Sequence, residues 1–253
     1  MYIIGKKDFD DIGEAVLAEY MPEVLSHPCA VDIEELAQEH LYLELRNAFI
    51  TIDGSVLGMI AFDDATFEGY DSMYRPEEMS LPAGTVVIDL SLCGQTLYAR
   101  RRFTIAHECS HWICHRSYHA PDNRTYNFRS NASQGILACR SENIEKGSAA
   151  DRGRKRTDDD WEEWQADSLA AAILMPRRTF LDSFRYAMGK EGMRQPYIVK
   201  GEDRYGENAV IRALMDTFKV SYKATEIRLK TLGLLREYQY YGGWESSYAT
   251  GRY

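Results

Sequence analysis

A chain of 253 residues, 45% of them hydrophobic, can bury one substantial core with at most a small accessory unit. Its formal charge of −9 argues against broad nucleic-acid binding, which needs a basic surface to neutralise phosphate. The five cysteines are an odd count without zinc-knuckle spacing, the N-terminal apolar run Tyr2-Ile3-Ile4 is too short for a signal peptide, and no run is long enough to span a bilayer. A reducing cytoplasm is the expected compartment.

In chain order, residues 8 to 40 read as two helices separated by Pro22 and Pro28, with Asp32 capping Ile33 to His40. Residues 41 to 62 read as strands, and Asp53-Gly54 between Ile50 and Leu57 carries a hairpin signal. Residues 63 to 84, with many acids and two prolines, read as a loop. The β-branched run Thr85 to Leu90 is a strand that leads into a helix, since Leu97 to His115 contains neither proline nor glycine. Residues 116 to 160 form a long polar connection with an apolar island at Gly135-Ile136-Leu137-Ala138-Cys139, a length typical of functional lids. Within it, Arg152-Gly153-Arg154-Lys155-Arg156 is followed almost at once by Asp158-Asp159-Asp160 and reads as a solvated loop.

The most informative segment lies on the first of these long helices: His107-Glu108-Cys109-Ser110-His111. Positions four apart stack on one helix face, so both imidazoles can share one metal ion. Glu108 lies on the neighbouring strip, within reach of a metal-bound water. Catalytic zinc commonly takes three protein ligands and leaves a fourth position to water. The third candidate is Glu163, on an alanine-rich helix with an acidic first turn that Pro176 ends. One turn later Asp167 shares its face and can accept a hydrogen bond from a ligand imidazole, whereas the rival Glu162 is followed by Ala166, which cannot. The extended HExxHxxGxxH pattern is absent, because Cys114 and Ser117 stand where it needs glycine and histidine. His115 reads as a packing or hydrogen-bonding residue, and Cys109 as inert helix packing.

Two blocks, Arg102-Phe103-Thr104-Ile105-Ala106-His107-Glu108 through His111 and Glu163-Trp164-Gln165-Ala166-Asp167 with Ala170 to Pro176, resemble the ImmA/IrrE family of metallopeptidases. Phe218-Lys219-Val220-Ser221 and Arg228-Leu229-Lys230-Thr231-Leu232-Gly233-Leu234 are similar to an ending common among its members. The connection between the ligand helices is longer here than in many of them. The resemblance implies zinc held by His107, His111 and Glu163, with Glu108 as general base. It also implies an intracellular protease that cuts a helix-turn-helix transcriptional repressor.

The expected fold class is α+β. A zincin-like metallopeptidase domain over residues 1–176 would pack a small, mostly antiparallel sheet against the ligand helices. A helix-turn-helix-like segment over 177–236 would dock on it, and a tyrosine-rich tail would follow at 237–253. Substrate would lie as an added strand on a sheet edge somewhere in residues 50 to 90. Tyr118, His119, Tyr126 and Arg129 follow the metal helix and are candidates for the oxyanion donor. Three function classes follow: a zinc endopeptidase with Zn2+ and a protein substrate, a zinc-stabilised protein that binds a repressor without cutting it, and a DNA-binding regulator using residues 209 to 235. The acidity of the chain disfavours the last, and no direct nucleic-acid or membrane partner is expected.

Overall fold

The computed structural model describes residues 5, 8–119, 136–140 and 157–237. The basic cluster at 152–156, Tyr126, Arg129 and the tail beyond 237 lie outside them. Helix α1 (Asp8–Tyr20) carries Asp8, Asp10 and Asp11 in its first turn, where carboxylates favour the helix dipole, and buries Phe9, Gly13 and Leu17 on one face. After a 3-10 turn at Pro22–Leu25, Asp32 caps α2 (Ile33–Glu35) by accepting from the Glu35 amide at 3.1 Å. A π-helical turn, Leu36–His40, continues it and buries Leu36 and Ala37.

The main sheet has the order β1-β5-β2-β6, from strands β1 (Glu44–Ala48), β2 (Val56–Ala61), β5 (Thr85–Asp89) and β6 (Ile136–Arg140). Two of its three pairings are antiparallel; β1 runs parallel to β5. The Asp53-Gly54 turn forms, with Gly54 at φ 64, but it does not close a hairpin. Strand β5 inserts between β1 and β2, and the Asp89 carboxylate accepts from the Ile50 amide at 2.8 Å to hold the connection. The apolar run Thr85–Asp89 is buried along its whole length, as a central strand with both faces covered must be.

Two further expectations are corrected. Residues 63 to 84 are not a loop: β3 (Ala65–Tyr70) and β4 (Pro76–Leu81) form an antiparallel hairpin. Its turn is organised by Asp71, which accepts from the Met73 and Arg75 amides and from the Arg75 guanidinium. Of the acids that suggested a loop, Glu68 is exposed on β3, Glu77 and Glu78 are exposed on β4, and Asp71 builds the turn between them. The apolar island in the long connection is strand β6, so an edge of the main sheet lies outside residues 50 to 90, as does the other edge, β1.

One face of the sheet, with Ile60, Val86 and Ile88, packs on α3 (Tyr98–His119) through Ile105, Ala106 and Cys109. The other, with Met59, Ala61 and Val87, meets Leu81, Phe67 and Met79 of the hairpin. Helix α4 (Asp158–Leu174) lies against both α3 and α1. A β-carbon at Gly13 would stand 3.1 Å from the Ala172 β-carbon, so small residues set the α1–α4 distance. No helix among the described residues is long and apolar enough to cross a membrane.

Helices α5 (Arg177–Lys190), α6 (Arg204–Phe218) and α7 (Tyr222–Thr231) share the same apolar cluster through Phe180, Phe184, Leu214, Phe218 and Leu229. Strands β7 (Ile198–Val199) and β8 (Leu235–Arg236) pair in parallel beside them. Buried Arg228 locks α7 to the body: it donates to the Met175 carbonyl at 2.8 and 3.1 Å and pairs with Asp10. Arg228→Ala is expected to cost about 3 kcal/mol in denaturant unfolding, because it strands the Asp10 carboxylate and the Met175 carbonyl. Unchanged stability would remove this role.

Candidate metal centre

Helix α3 follows two 3-10 turns, the first capped by the Asp89 side chain on the Ser91 amide. Helix α4 starts at a capping box in which Thr157 and Asp160 satisfy each other's amides at 3.1 and 2.9 Å. The two helices pack lengthwise, and the polar residues of both meet at their interface.

His107 and His111 are fully buried, with their Nε2 atoms 2.9 Å apart. Glu163 reaches across from α4, its Oε2 3.4 Å from His107 Nε2 and its Oε1 3.4 Å from His111 Nε2. One ligand atom from each of the three lies within 4.8 Å of the others. A tetrahedral ion with bonds of about 2.0–2.1 Å separates its ligand atoms by about 3.3 Å, so the two oxygen–nitrogen separations fit and the imidazole pair need open by only a few tenths of an ångström. On the far side of His107, Nδ1 lies 3.0 Å from Asp167 Oδ1, which leaves Nε2 turned toward the shared centre.

Electrostatics agree with a cation site. Burial opposes ionisation of Glu163, but hydrogen bonds and charge from His107 and His111 outweigh it and hold the carboxyl below the usual carboxylate range. Burial pushes the His111 pKa down to about 4, so its imidazole is neutral, as a metal ligand must be. Burial likewise lifts Asp167, against the opposing pull of His107. Glu108 is fully buried, and neither carboxylate oxygen has a hydrogen-bond partner among the described residues. Burial drives its pKa up to about 8, with His107 opposing and Glu163 adding to the rise. A buried carboxylate without a partner is costly. A cation and a water at the centre would relieve that cost, and the donor set of two imidazoles and a carboxylate suits one.

The other sequence candidates are separated by the same interface. Glu162, the rival ligand, turns instead to His119, 3.0 Å away. His119 also stacks on Phe62 at 4.6 Å, and Tyr118 packs edge-on against it. Burial carries the Cys109 thiol far above its ordinary range, so it has no nucleophilic character at neutral pH. His115 makes hydrogen bonds to His111 and Gln165. Two residues of the site escaped sequence reasoning. Gln165 lies within the family-like block without a role assigned to it, and only the pairing of α3 with α4 brings it to His115. Gly58 of β2 lies beneath the carboxylate: a β-carbon there would stand 2.8 Å from Glu108 Oε1 and 2.6 Å from Thr104 Cγ2. It sits beside a bulge in the β2–β6 pairing, an irregularity common near active sites. A lone glycine inside a strand was the available signal.

Residues 134–230 match the family model described as Peptidase_M78, IrrE N-terminal-like domain. The matched segment holds Glu163 and Asp167 and begins downstream of the His107–His111 pair. That match supports assignment to the ImmA/IrrE family. No curated protein matches the chain. The match supports a metallopeptidase in general terms and implies a metal, with which the His107, His111 and Glu163 cluster is compatible.

Proposed function

We propose that this ImmA/IrrE protein is a zinc-dependent endopeptidase with a zincin-like catalytic domain, and that it cuts a helix-turn-helix transcriptional repressor in the cytoplasm. The observation that carries the reading is the orphaned, fully buried Glu108 carboxylate beside three converging ligand groups. His107, His111 and Glu163 hold the metal. Zinc bound there supplies Lewis acidity and lowers the pKa of water to about 7. Glu108 accepts a proton as water attacks the scissile carbonyl, then returns it to the leaving amine. Asp167 fixes the His107 tautomer by accepting its Nδ1 hydrogen. The repressor substrate rests on the family resemblance. The DNA-binding alternative loses Arg228, which is buried against Asp10 and the Met175 carbonyl, while Lys223 and Lys230 pair with Glu226.

The test is to incubate the purified, zinc-loaded protein with the helix-turn-helix regulator encoded beside its gene and follow fragments by mass spectrometry. Cleavage by the wild type and none by Glu108→Gln is expected. Derepression that survives Glu108→Gln but is lost in His107→Ala would instead establish a non-catalytic, zinc-stabilised binder. An intact regulator, with other peptides cut, would sink the substrate class and leave the chemistry standing.

Gly58→Ala gives an independent check on Glu108. The added methyl leaves the carboxylate no room in its present position, and a misplacement of that size costs about 10- to 100-fold in turnover. Zinc content should be unchanged. Wild-type activity in Gly58→Ala would show that Glu108 works from elsewhere.

A further inference from the structure

Three histidines of α3, His107, His111 and His115, follow one another at four-residue spacing and share a buried face. The outer nitrogen of His107 meets Asp167. That of His111 meets no carboxylate among the described residues. Its Nδ1 lies 3.0 Å from His115 Nδ1, and His115 Nε2 lies 3.1 Å from Gln165 Oε1. We propose that His115 and Gln165 are positioning residues for His111, an uncharged relay that aims its Nε2 lone pair at the metal as Asp167 does for His107. This rests on the metal-binding reading above.

The chemistry of the groups sets the direction of the relay. Each contact needs one donor and one acceptor, and an amide oxygen only accepts. His115 therefore carries its hydrogen on Nε2 and offers a lone pair at Nδ1. His111 donates its Nδ1 hydrogen to that lone pair, so its Nε2 is bare and faces Glu163. Turning the Gln165 amide reverses every step. His115 would then donate from Nδ1, the hydrogen of His111 would sit on Nε2, and the ligand would be lost. A single side-chain amide thus decides whether His111 can bind. A neutral acceptor also orients the second imidazole without a further negative charge beside Glu108, Glu163 and Asp167. Gln165 and His115 are each almost wholly buried, so water does not readily substitute for either.

Zinc affinity of the full-length protein, measured by competition with a chromophoric chelator, tests the relay. Gln165→Leu and His115→Phe are expected to weaken zinc binding by about 10- to 100-fold, whereas Gln165→Glu keeps an oxygen acceptor and stays within about threefold of wild type. NMR of the histidine ring nitrogens in zinc-loaded wild type gives a second readout that needs no variant to fold: His115 should carry hydrogen on Nε2. Tight wild-type binding with both apolar variants unaffected, or a His115 hydrogen on Nδ1, overturns the relay alone. A wild type that takes up no zinc overturns the metal reading, and the relay with it.

Discussion

Glu108→Gln is expected to lower peptide cleavage by about 10²- to 10⁴-fold while zinc stays bound at one ion per chain, because the amide keeps the shape of the carboxylate but cannot shuttle a proton. The same substitution should stabilise the chelated, metal-free protein, and the sign follows from linkage. Burial raises the Glu108 pKa from its ordinary value near 4.5 to about 8 in the folded state. Between those values the folded chain holds a proton that the unfolded chain releases, so the contribution of Glu108 to stability falls as pH rises across this window. Above pH 8 the wild type carries the whole penalty, a few kcal/mol, and Glu108→Gln carries none. Thermal melts of the two metal-free proteins should coincide near pH 5 and diverge toward pH 8. The depressed His111 pKa acts in the opposite sense, with stability lost as pH falls below about 6.5, but it is common to both proteins and cancels in the difference. Equal melting points at pH 8.5 would mean that Glu108 finds a partner, and equal activities would remove it from catalysis.

Glu163→Ala should have a comparably large effect of a different kind. It deletes one of three protein ligands and removes the carboxylate that meets the facing nitrogens of His107 and His111. Zinc affinity is expected to fall on the order of 10³-fold, and activity at limiting zinc with it. Removing the outer partner instead, Asp167→Asn, should weaken zinc by only about 10- to 100-fold. Chelator competition separates the two variants. Melting temperatures give an independent reading, since a bound ion stabilises by mass action: zinc should raise the wild-type melting point strongly and that of Glu163→Ala little. Equal zinc affinity in Glu163→Ala and wild type would return Glu162, or a group outside the described residues, to consideration.

How much was legible in the chain differs by element. Helix α3 and strand β5 could be read because their signals are local: an uninterrupted run without proline or glycine, and a β-branched run. Asp32 capped α2 as its position suggested. The hairpin at Asp53-Gly54 failed because a turn signal states that the chain reverses, not which strand will pair beside it; β5 occupies the place between β1 and β2. The loop reading of 63–84 failed because the apolar alternation on β4 is only Met79 and Leu81, too short a signal beside the backbone pairing and the Asp71 turn that form the hairpin.

At the centre, the sequence by itself determined which groups are available: a histidine pair four apart, the glutamate between them, and a second acidic pair, Glu163 and Asp167, with the same four-residue period. Periodicity within one helix is a local property, so it can be read without a fold. Only the tertiary structure decided how two helices face each other. Their packing sent Glu163 to the histidine pair and Glu162 to His119, brought Gln165 to His115, and placed Gly58 of a distant strand under the Glu108 carboxylate. Those contacts depend on the crossing of α3 with α4 and on the approach of β2, which the burial of a shared core sets and no single segment encodes.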